Sequence, residues 1–319
     1  MFKTHTIMAK KFDLGESMPE TIDTISTPET VADGAEPVVD TTTNGLDDNE
    51  RKDPNSIAVT IADKDTPIVV LFGPAACGKT MTLVRLTRFL QEQGYSVSPV
   101  KSFRPAKDAH YAKMCEEYNT LVYSNNAADS TDMISFMLLE VLDSTGKRVC
   151  QILEAPGEYY FSPDKPKAPF PAYVNTIKNS KNRKIWLCMV EPNWKDATDR
   201  SAYVERVKML SSNLGSRDKV VFLYNKVDIT NYVGRQGKVN MVAVNNDVHN
   251  MYPGLFVPFA NVNPITKWFR PFDCELIPFS NGDFTEATAS DGSVYQTWQQ
   301  GTDFYPGLLW KNIMSKIRG

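Results

Sequence analysis

Histidine is scarce in this sequence, and cysteine has no recurring spacing. The three histidines lie far apart, at His5, His110 and His249, and no two of the five cysteines form a C-x-x-C pair. A zinc centre or a histidine-containing catalytic triad needs such residues in a recognisable arrangement, and none is present. The scattered cysteines instead predict reduced thiols without disulfides, as in a cytoplasmic protein. They are Cys77, Cys115, Cys150, Cys188 and Cys274.

Net charge is also small, and long hydrophobic runs are missing. A formal net charge of −3 over 319 residues gives no overall attraction to nucleic acid or to an anionic membrane. No run of about 18 apolar residues occurs, so we expect no transmembrane helix. The first residues, Met1 to Lys11, lack the hydrophobic stretch of a signal peptide. A hydrophobic fraction of 42% is typical of a soluble chain with a large core.

The N-terminal stretch has a composition of its own. Between Asp13 and Asp53 there is no aromatic residue, and Thr, Asp, Glu, Pro and Gly dominate. Such a segment buries too little apolar surface to offset the entropy lost on ordering. We therefore predict a disordered acidic tail over residues 1–55. A partner-binding segment that folds on contact is the alternative.

The strongest motif lies between Ile68 and Thr80. Ile68 to Phe72 are five large apolar residues, typical of a strand buried in a parallel sheet. The following residues match G-x-x-x-x-G-K-T, the phosphate-binding P-loop. Lys79 would reach the β- and γ-phosphates, and the Thr80 hydroxyl would bind Mg²⁺. The nucleotide-contacting residues predicted here are Gly73, Pro74, Ala75, Ala76, Cys77, Gly78, Lys79, Thr80 and Met81.

A predicted hairpin ends at an acidic residue. Met133 to Leu142 and Val149 to Leu153 are apolar runs joined by a short polar turn, and Glu154 follows the second run. A carboxylate at the end of a strand beside the P-loop strand could hold Mg²⁺, directly or through water. The backbone N–H of Gly157 could meet the γ-phosphate.

A third motif predicts guanine recognition. The apolar run Lys219 to Tyr224 leads into Asn225-Lys226-Val227-Asp228. The Asp228 carboxylate could accept two hydrogen bonds from the N1–H and N2–H₂ groups of guanine, which adenine lacks. Lys226 would lay its aliphatic stem and charge over the base, and Asn225 could tie this loop to the P-loop.

In their order and strand-end positions, these motifs resemble those of the P-loop GTPase superfamily, of the Ras-like and translation-factor type. The resemblance implies an α/β, three-layer fold: a mainly parallel sheet with one antiparallel hairpin strand, and helices on both faces. It implies GTP/GDP and Mg²⁺ as ligands, and a protein effector, a regulator or a second copy as partner. It also implies that Ser280 and Asn281 lie near the guanine O6. Thr131 would close over the metal, with Thr120 as a poorer choice.

Three departures from the family pattern bear on activity. Glu154 stands where the family has Asp, and Glu158 stands where it often has a Gln that orients the attacking water. A negative charge at Glu158 should oppose the transition state. Asn281 follows Ser280 where the family usually has a small alanine after the serine. The resemblance therefore implies slow or partner-assisted GTP hydrolysis, with Lys79, Thr131 and Glu158 as catalytic residues and a switch function in the cytoplasm. The alternatives are a GTP-binding scaffold without hydrolysis and an ATPase or kinase of another P-loop branch.

The predicted GTPase domain covers residues 56–319 and contains three insertions, around 101–129, 159–184 and 229–272. We expect the first to be a mobile connection, in which Arg104 and Lys107 could act as an arginine finger or simply lie on the surface. In the third, aromatic residues are expected to pack against the core, with a partner surface as the alternative. These aromatic residues are Tyr252, Phe256, Phe259, Trp268 and Phe269.

Overall fold

A seven-stranded sheet is the centre of the fold. The computed structural model describes residues 46–125, 136–161, 164–192, 194, 196–234, 238–288 and 294–319. Within these ranges the main sheet has the strand order β2-β3-β4-β1-β5-β6-β7, and a separate hairpin joins β8 and β9. The strands are β1 Ile68–Phe72, β2 Ser96–Pro99, β3 Met137–Leu142, β4 Arg148–Glu154, β5 Lys184–Val190, β6 Lys219–Tyr224, β7 Cys274–Pro278, β8 Gly282–Thr288 and β9 Val294–Gln300.

Eight α-helices are found in the same ranges. They are α1 Asp48–Lys52, α2 Lys79–Glu92, α3 Ala109–Tyr123, α4 Gly157–Tyr160, α5 Ala172–Asn179, α6 Ala197–Ser211, α7 Met241–Met251 and α8 Phe304–Arg318. None of the described helices is long and apolar enough to cross a bilayer. All five cysteines are free thiols.

The sheet is mainly parallel, as predicted. β1 pairs in parallel with β4 and β5, and β5, β6 and β7 continue in the same direction. Among the described strands of this sheet, β3 alone runs antiparallel to its two neighbours, β2 and β4. The α/β fold class with one antiparallel strand is confirmed.

The apolar run before the P-loop forms the middle of the core. All five residues of β1 are buried. Because successive side chains of a strand point to opposite faces, the sheet is covered on both sides. On one face the Phe72 ring packs against Tyr160, Trp186 and Tyr203, with ring centroids 5.0, 6.0 and 6.3 Å away. This packing fixes the strand from which the phosphate loop emerges.

The predicted boundary of the N-terminal tail is wrong for residues 46–55. Leu46 is buried, α1 begins with an Asp47 cap, and the buried Glu50 carboxylate accepts two hydrogen bonds from Arg104, at 2.8 and 2.6 Å. Arg104, which is far from Glu50 in the sequence, therefore helps to order residues 46–55, although their own composition is polar. Residues 1–45 lie outside the described residues.

The insertion predicted around 101–129 is not a mobile connection where the structure describes it. It contains α3, whose N-terminus is capped by Asp108 Oδ1 accepting from the Tyr111 amide at 2.9 Å. Tyr111, Met114 and Tyr118 are buried along one face of that helix. Their helical spacing is present in the sequence, but the many charged residues between them obscured it.

The other two predicted insertions hold both regular structure and loops. Residues 159–184 include α5, which buries Tyr173, Val174 and Ile177. Residues 229–272 include α7, followed by a loop. Tyr252, Phe256 and Phe259 are buried as expected, but Trp268 and Phe269 are 82% and 92% exposed. The prediction that all five aromatic residues pack against the core is therefore wrong for these two.

Candidate nucleotide-binding site

The loop between β1 and α2 has the backbone shape that a P-loop requires. Ala76 and Gly78 have left-handed φ angles of +60° and +85°, which turn the chain tightly before α2 begins at Lys79. Gly78 occupies the N-cap position and has no side chain to bond the first helical amides. Those N–H groups, at the positive end of the helix, remain available to an anion.

The side chain of Lys79 lies back across this loop. Its Nζ donates a hydrogen bond to the Pro74 carbonyl at 2.8 Å, and the residue is only 5% exposed. A buried ammonium with a neutral carbonyl partner is incompletely compensated, so a phosphate in the loop would bind it more strongly.

A hydroxyl and a carboxylate meet beside Lys79. Thr80 Oγ1 donates to Glu154 Oε1 at 3.0 Å, and both residues are buried. The second oxygen, Glu154 Oε2, is buried and has no hydrogen-bond partner among the described residues. Burial raises the pKa of Glu154 to about 8, although the charge of Lys79 and the hydrogen bond from Thr80 oppose this.

These two side chains fit a divalent cation. Mg²⁺ prefers oxygen ligands, and an unpartnered buried carboxylate oxygen next to a hydroxyl supplies them. In the described part of the chain, no group of three or more His, Cys, Asp or Glu side chains could hold a metal by itself. A cation here would therefore also need phosphate oxygens, which is the usual way in which Mg²⁺ binds with a nucleotide.

The segment that follows β4 lies directly against the phosphate loop. A Cβ atom on Gly157 would lie 2.3 Å from the Ala75 nitrogen and from the Pro74 carbonyl carbon, so only glycine fits here. Glu158, the next residue, is exposed within the short helix α4. Its negative charge also contributes to the raised pKa of Glu154.

The predicted base-recognition loop is joined to the phosphate loop by Asn225. Its Nδ2 donates to the Cys77 carbonyl at 2.9 Å, and its Oδ1 accepts from Asn281 Nδ2 at 3.2 Å. Asn225 is fully buried. The hypothesis that Asn225 ties the two loops together agrees with this geometry, and Asn281 joins them as a third member.

Asp228 and Lys226 differ in their surroundings. Asp228 is exposed at the end of this loop, in the short 3₁₀ helix Val227–Ile229, so its carboxylate is accessible to a ligand. Lys226 has a left-handed φ of +57° and forms an ion pair with Glu191. Sequence reasoning missed Glu191, although its position directly after β5, at the carboxyl edge of the sheet, was a usable signal.

A hairpin that sequence reasoning also missed holds the last predicted motif. Ser280 and Asn281 follow β7 and lead into β8. Trp298 on β9 donates from Nε1 to the Asn281 carbonyl at 3.2 Å, and the Arg88 guanidinium of α2 lies 4.3 Å from the Trp298 ring centroid. The hairpin therefore connects the Ser280-Asn281 loop to the helix that follows the phosphate loop.

The structure does not describe one further predicted residue, Thr131, and it gives Arg104 partners outside the phosphate loop. Thr131, predicted to close over the metal, lies outside the described residues. Arg104 is buried and bonded to Glu50, to Asp108 Oδ2 at 2.9 Å and to the Ala58 carbonyl at 2.8 Å. Among the described residues these partners join Arg104 to α1, to the Ala58 backbone and to the cap of α3, so the arginine-finger hypothesis for Arg104 is wrong.

Four predicted segments lie at the carboxyl ends of four strands. The phosphate loop follows β1, Glu154 is the last residue of β4, the Asn225–Asp228 loop follows β6, and Ser280-Asn281 follows β7. These strands are parallel, so the four segments meet at one carboxyl edge of the sheet. The α/β sheet and the order of these motifs resemble those of the P-loop GTPases.

The known proteins that resemble this chain at a distance include one curated protein and several solved structures. No family model matches the chain. The signal recognition particle 54 kDa protein of Methanopyrus kandleri is 32% identical over 72 residues, which is 22% of this chain and 16% of that protein.

Two solved structures cover most of the chain at low similarity. Nucleolar GTP-binding protein 1 from Plasmodium falciparum is 10% identical over 82% of this chain and 90% of that chain, with a TM-score of 0.38. The Ski7 GTPase-like domain of S. cerevisiae, bound to GTP, is 12% identical over 80% and 50% of the two chains, also with a TM-score of 0.38.

Proposed function

We propose that this protein binds GTP and GDP with Mg²⁺ and hydrolyses GTP slowly, as a conformational switch in the cytoplasm. The observation that supports this best is the buried side chain of Asn225, which bonds Cys77 of the phosphate loop and Asn281 of the last motif. This bridge gives the phosphate end and the base end of the site one fixed spacing, suited to a single nucleotide.

Each residue has a separate role in this proposal. The free amides at the start of α2 and the ammonium of Lys79 bind the phosphates, and Asp228 accepts hydrogen bonds from the guanine edge. Thr80 and Glu154 would hold Mg²⁺, which neutralises charge on the phosphates when it is bound. Thr131 remains a proposed further ligand.

The exposed carboxylate of Glu158 argues for a low intrinsic rate. It follows Gly157, whose backbone lies against the phosphate loop, so its charge is close to where negative charge develops during phosphoryl transfer. A protein partner or a second copy of the chain that places a cation near Glu158 would raise the rate of GTP hydrolysis. We include such a partner in the proposal.

The second candidate function is a GTP-binding scaffold without hydrolysis, and the same Glu158 motivates it. The first experiment is to denature freshly purified protein and to identify any released nucleotide by ion-pair chromatography. The emptied protein is then titrated with GTP and ATP analogues and with Mg²⁺. Recovered GDP and a guanine preference support the switch.

Single-turnover phosphate release from protein loaded with GTP separates the two guanine-binding alternatives. Phosphate released at a rate above that of free GTP supports hydrolysis, and intact GTP after prolonged incubation supports the scaffold. Tight ATP binding without guanine preference would contradict both the switch and the scaffold. It would favour the remaining alternative, an ATPase or kinase of another P-loop branch.

A further inference from the structure

The 260–272 loop displays four large apolar side chains to solvent. Val262 and Phe269 are each 92% exposed, Trp268 is 82% exposed and Ile265 is 76% exposed. Single exposed apolar residues are normal, but four within one short loop are a marker of an interaction surface. Exposing these apolar side chains to water costs free energy, which favours their burial against an apolar partner or a lipid layer.

The loop is held in shape by its own hydrogen bonds. Ala260 and Phe272 pair as an isolated β-bridge, and the Asn261 amide donates to the Pro271 carbonyl at 2.8 Å. Inside the loop, Asn261 Nδ2 donates to Thr266 Oγ1 at 2.9 Å and to the Arg270 carbonyl at 3.0 Å. The exposed apolar residues therefore lie on a loop whose backbone conformation is fixed by internal hydrogen bonds.

Many of the loop's backbone polar groups are paired within it. Asn263 Oδ1 accepts from the amides of Ile265 and Thr266 at 2.9 and 3.3 Å, and the Asn263 carbonyl accepts from Lys267 at 3.1 Å. The amides of Phe269 and Arg270 donate to the Thr266 carbonyl at 3.1 and 2.8 Å. Burial of such a loop in an apolar phase leaves few unpaired amides, which is the main cost of inserting irregular backbone into lipid.

The charged residues within this loop are all basic, and Arg270 also lies 3.9 Å from a carboxylate oxygen of Glu275 on β7. Residues 260–272 contain Lys267 and Arg270 and no Asp or Glu, although the whole chain has a net charge of −3. These two cations flank Trp268 and Phe269 in the sequence. Long basic side chains beside tryptophan and phenylalanine are the combination favoured at a membrane interface, where the rings enter the headgroup layer and the cations meet anionic lipids.

The position of the loop leaves the nucleotide site free. Phe272 lies just before β7, at its amino end, whereas Ser280 and Asn281 follow the carboxyl end of the same strand. The loop and the proposed nucleotide site are therefore at opposite edges of the parallel sheet.

We propose that the 260–272 loop docks this protein onto the surface of an anionic phospholipid bilayer. Val262, Ile265, Trp268 and Phe269 enter the interface, and Lys267 and Arg270 bind lipid phosphate and carboxylate groups. This peripheral site is independent of the proposed nucleotide function.

The test is flotation of the full chain with vesicles of phosphatidylcholine alone or mixed with phosphatidylserine. The wild-type protein is expected to float with the mixed vesicles and to do so less at high salt. The double variant W268S/F269S should bind about tenfold more weakly or worse, because two large apolar side chains are lost. The variant K267Q/R270Q should bind the anionic vesicles with about thirtyfold lower affinity.

A matched control is V242S, because Val242 is 72% exposed on α7, outside the loop. It should bind vesicles as the wild type does. W268F should retain most of the binding, while brominated lipid should quench the fluorescence of the wild type more than that of W268F. Circular dichroism of each variant checks that the fold is kept.

Three results would overturn the proposal. The wild-type protein could remain in solution with both kinds of vesicle. V242S could lose as much binding as W268S/F269S. Sedimentation velocity without lipid could show a wild-type oligomer that W268S/F269S converts to a monomer, which would make the loop a contact between copies.

Discussion

The side-chain amide of Asn225 donates to the Cys77 carbonyl at 2.9 Å, inside a fully buried environment. Space around this contact is so limited that a Cβ atom on Gly78 would lie 2.4 Å from Asn225 Nδ2. The phosphate loop and the Asn225–Asp228 loop are therefore in direct contact, and a change in either displaces the other.

Replacing Asn225 should weaken nucleotide binding and stability together. Asn225→Ala leaves the Cys77 carbonyl and the Asn281 amide without their partner, which should lower the free energy of unfolding by about 1 to 3 kcal/mol. We expect nucleotide affinity to fall about tenfold or more, measured by titration with a fluorescent GDP analogue. Asn245→Ala, on the exposed face of α7, is the control. Unchanged affinity in Asn225→Ala would contradict the bridging role.

Asp228→Asn should change base preference rather than abolish binding. The amide can donate to the xanthine O2, whereas it cannot accept both guanine hydrogen bonds as a carboxylate can. The affinity for guanine nucleotides should fall about a hundredfold or more, and the affinity for xanthine nucleotides should rise. Competition titrations with GDP and XDP measure this, with Asp283→Asn on the exposed face of β8 as control. If the preference stays the same, Asp228 does not contact the base.

Glu154→Gln should raise the Mg²⁺ concentration that nucleotide retention needs. The neutral amide keeps the volume and a hydrogen bond with Thr80 but removes the charge that the buried, unpartnered Oε2 would offer to the cation. We expect the half-saturating Mg²⁺ concentration to rise about tenfold or more. Glu154→Asp, which keeps the charge, should shift it less. Identical Mg²⁺ curves for wild type and Glu154→Gln would exclude Glu154 as a ligand.

Glu158→Gln should accelerate GTP hydrolysis. It removes a negative charge beside the phosphate loop and supplies an amide that can orient water. We expect about a tenfold increase in single-turnover rate with unchanged GTP affinity. Glu286→Gln, exposed on β8, is the matched control. A slower rate in Glu158→Gln would mean that the carboxylate itself assists the reaction.

Asp63 should make stability depend on pH in the acid range. Its burial disfavours the charge, but hydrogen bonds from Thr66 and Arg148 outweigh this and hold the pKa of Asp63 well below its usual range. A lowered folded-state pKa stabilises the protein above the ordinary Asp value of about 3.9, and this stabilisation is lost as the pH falls towards the folded-state pKa.

Asp63→Asn should therefore lower the free energy of unfolding at pH 7 by about 1 to 3 kcal/mol. The difference from wild type should narrow steadily below about pH 4. Urea unfolding at a series of pH values measures this, and the exposed neighbour Asp65→Asn should show little effect. A constant difference between pH 7 and pH 2 would contradict the assignment.

The sequence predicted those parts of the fold that local pattern determines. The apolar run Ile68–Phe72, the glycines around Lys79 and the leucines of α2 specify strand, loop and helix within a few residues. The structure agrees with the prediction that Asn225 ties its loop to the phosphate loop, because both loops follow parallel strands whose carboxyl ends share one edge.

The missed elements depend on distant partners. α1 is ordered by the ion pair between Glu50 and Arg104, and the β8–β9 hairpin is fixed by Trp298 stacking on Arg88. Neither pairing leaves a local signal, because the partners are far apart in the sequence. The exposure of Trp268 was missed for the opposite reason, since residue type alone favours burial of tryptophan.

The β8–β9 hairpin also bears on the kinetics of a bound ligand. Trp298 holds the Asn281 carbonyl with its indole N–H while its ring stacks on Arg88 of α2, and Arg85 of the same helix bonds the Gly301 carbonyl at 3.0 Å and Asp303. The hairpin and the residues directly after it are thus connected to α2 at two points, through Trp298 within β9 and through Gly301 and Asp303 just beyond it. If a nucleotide binds as proposed and is held at both ends, weakening either of these connections should shorten its residence time.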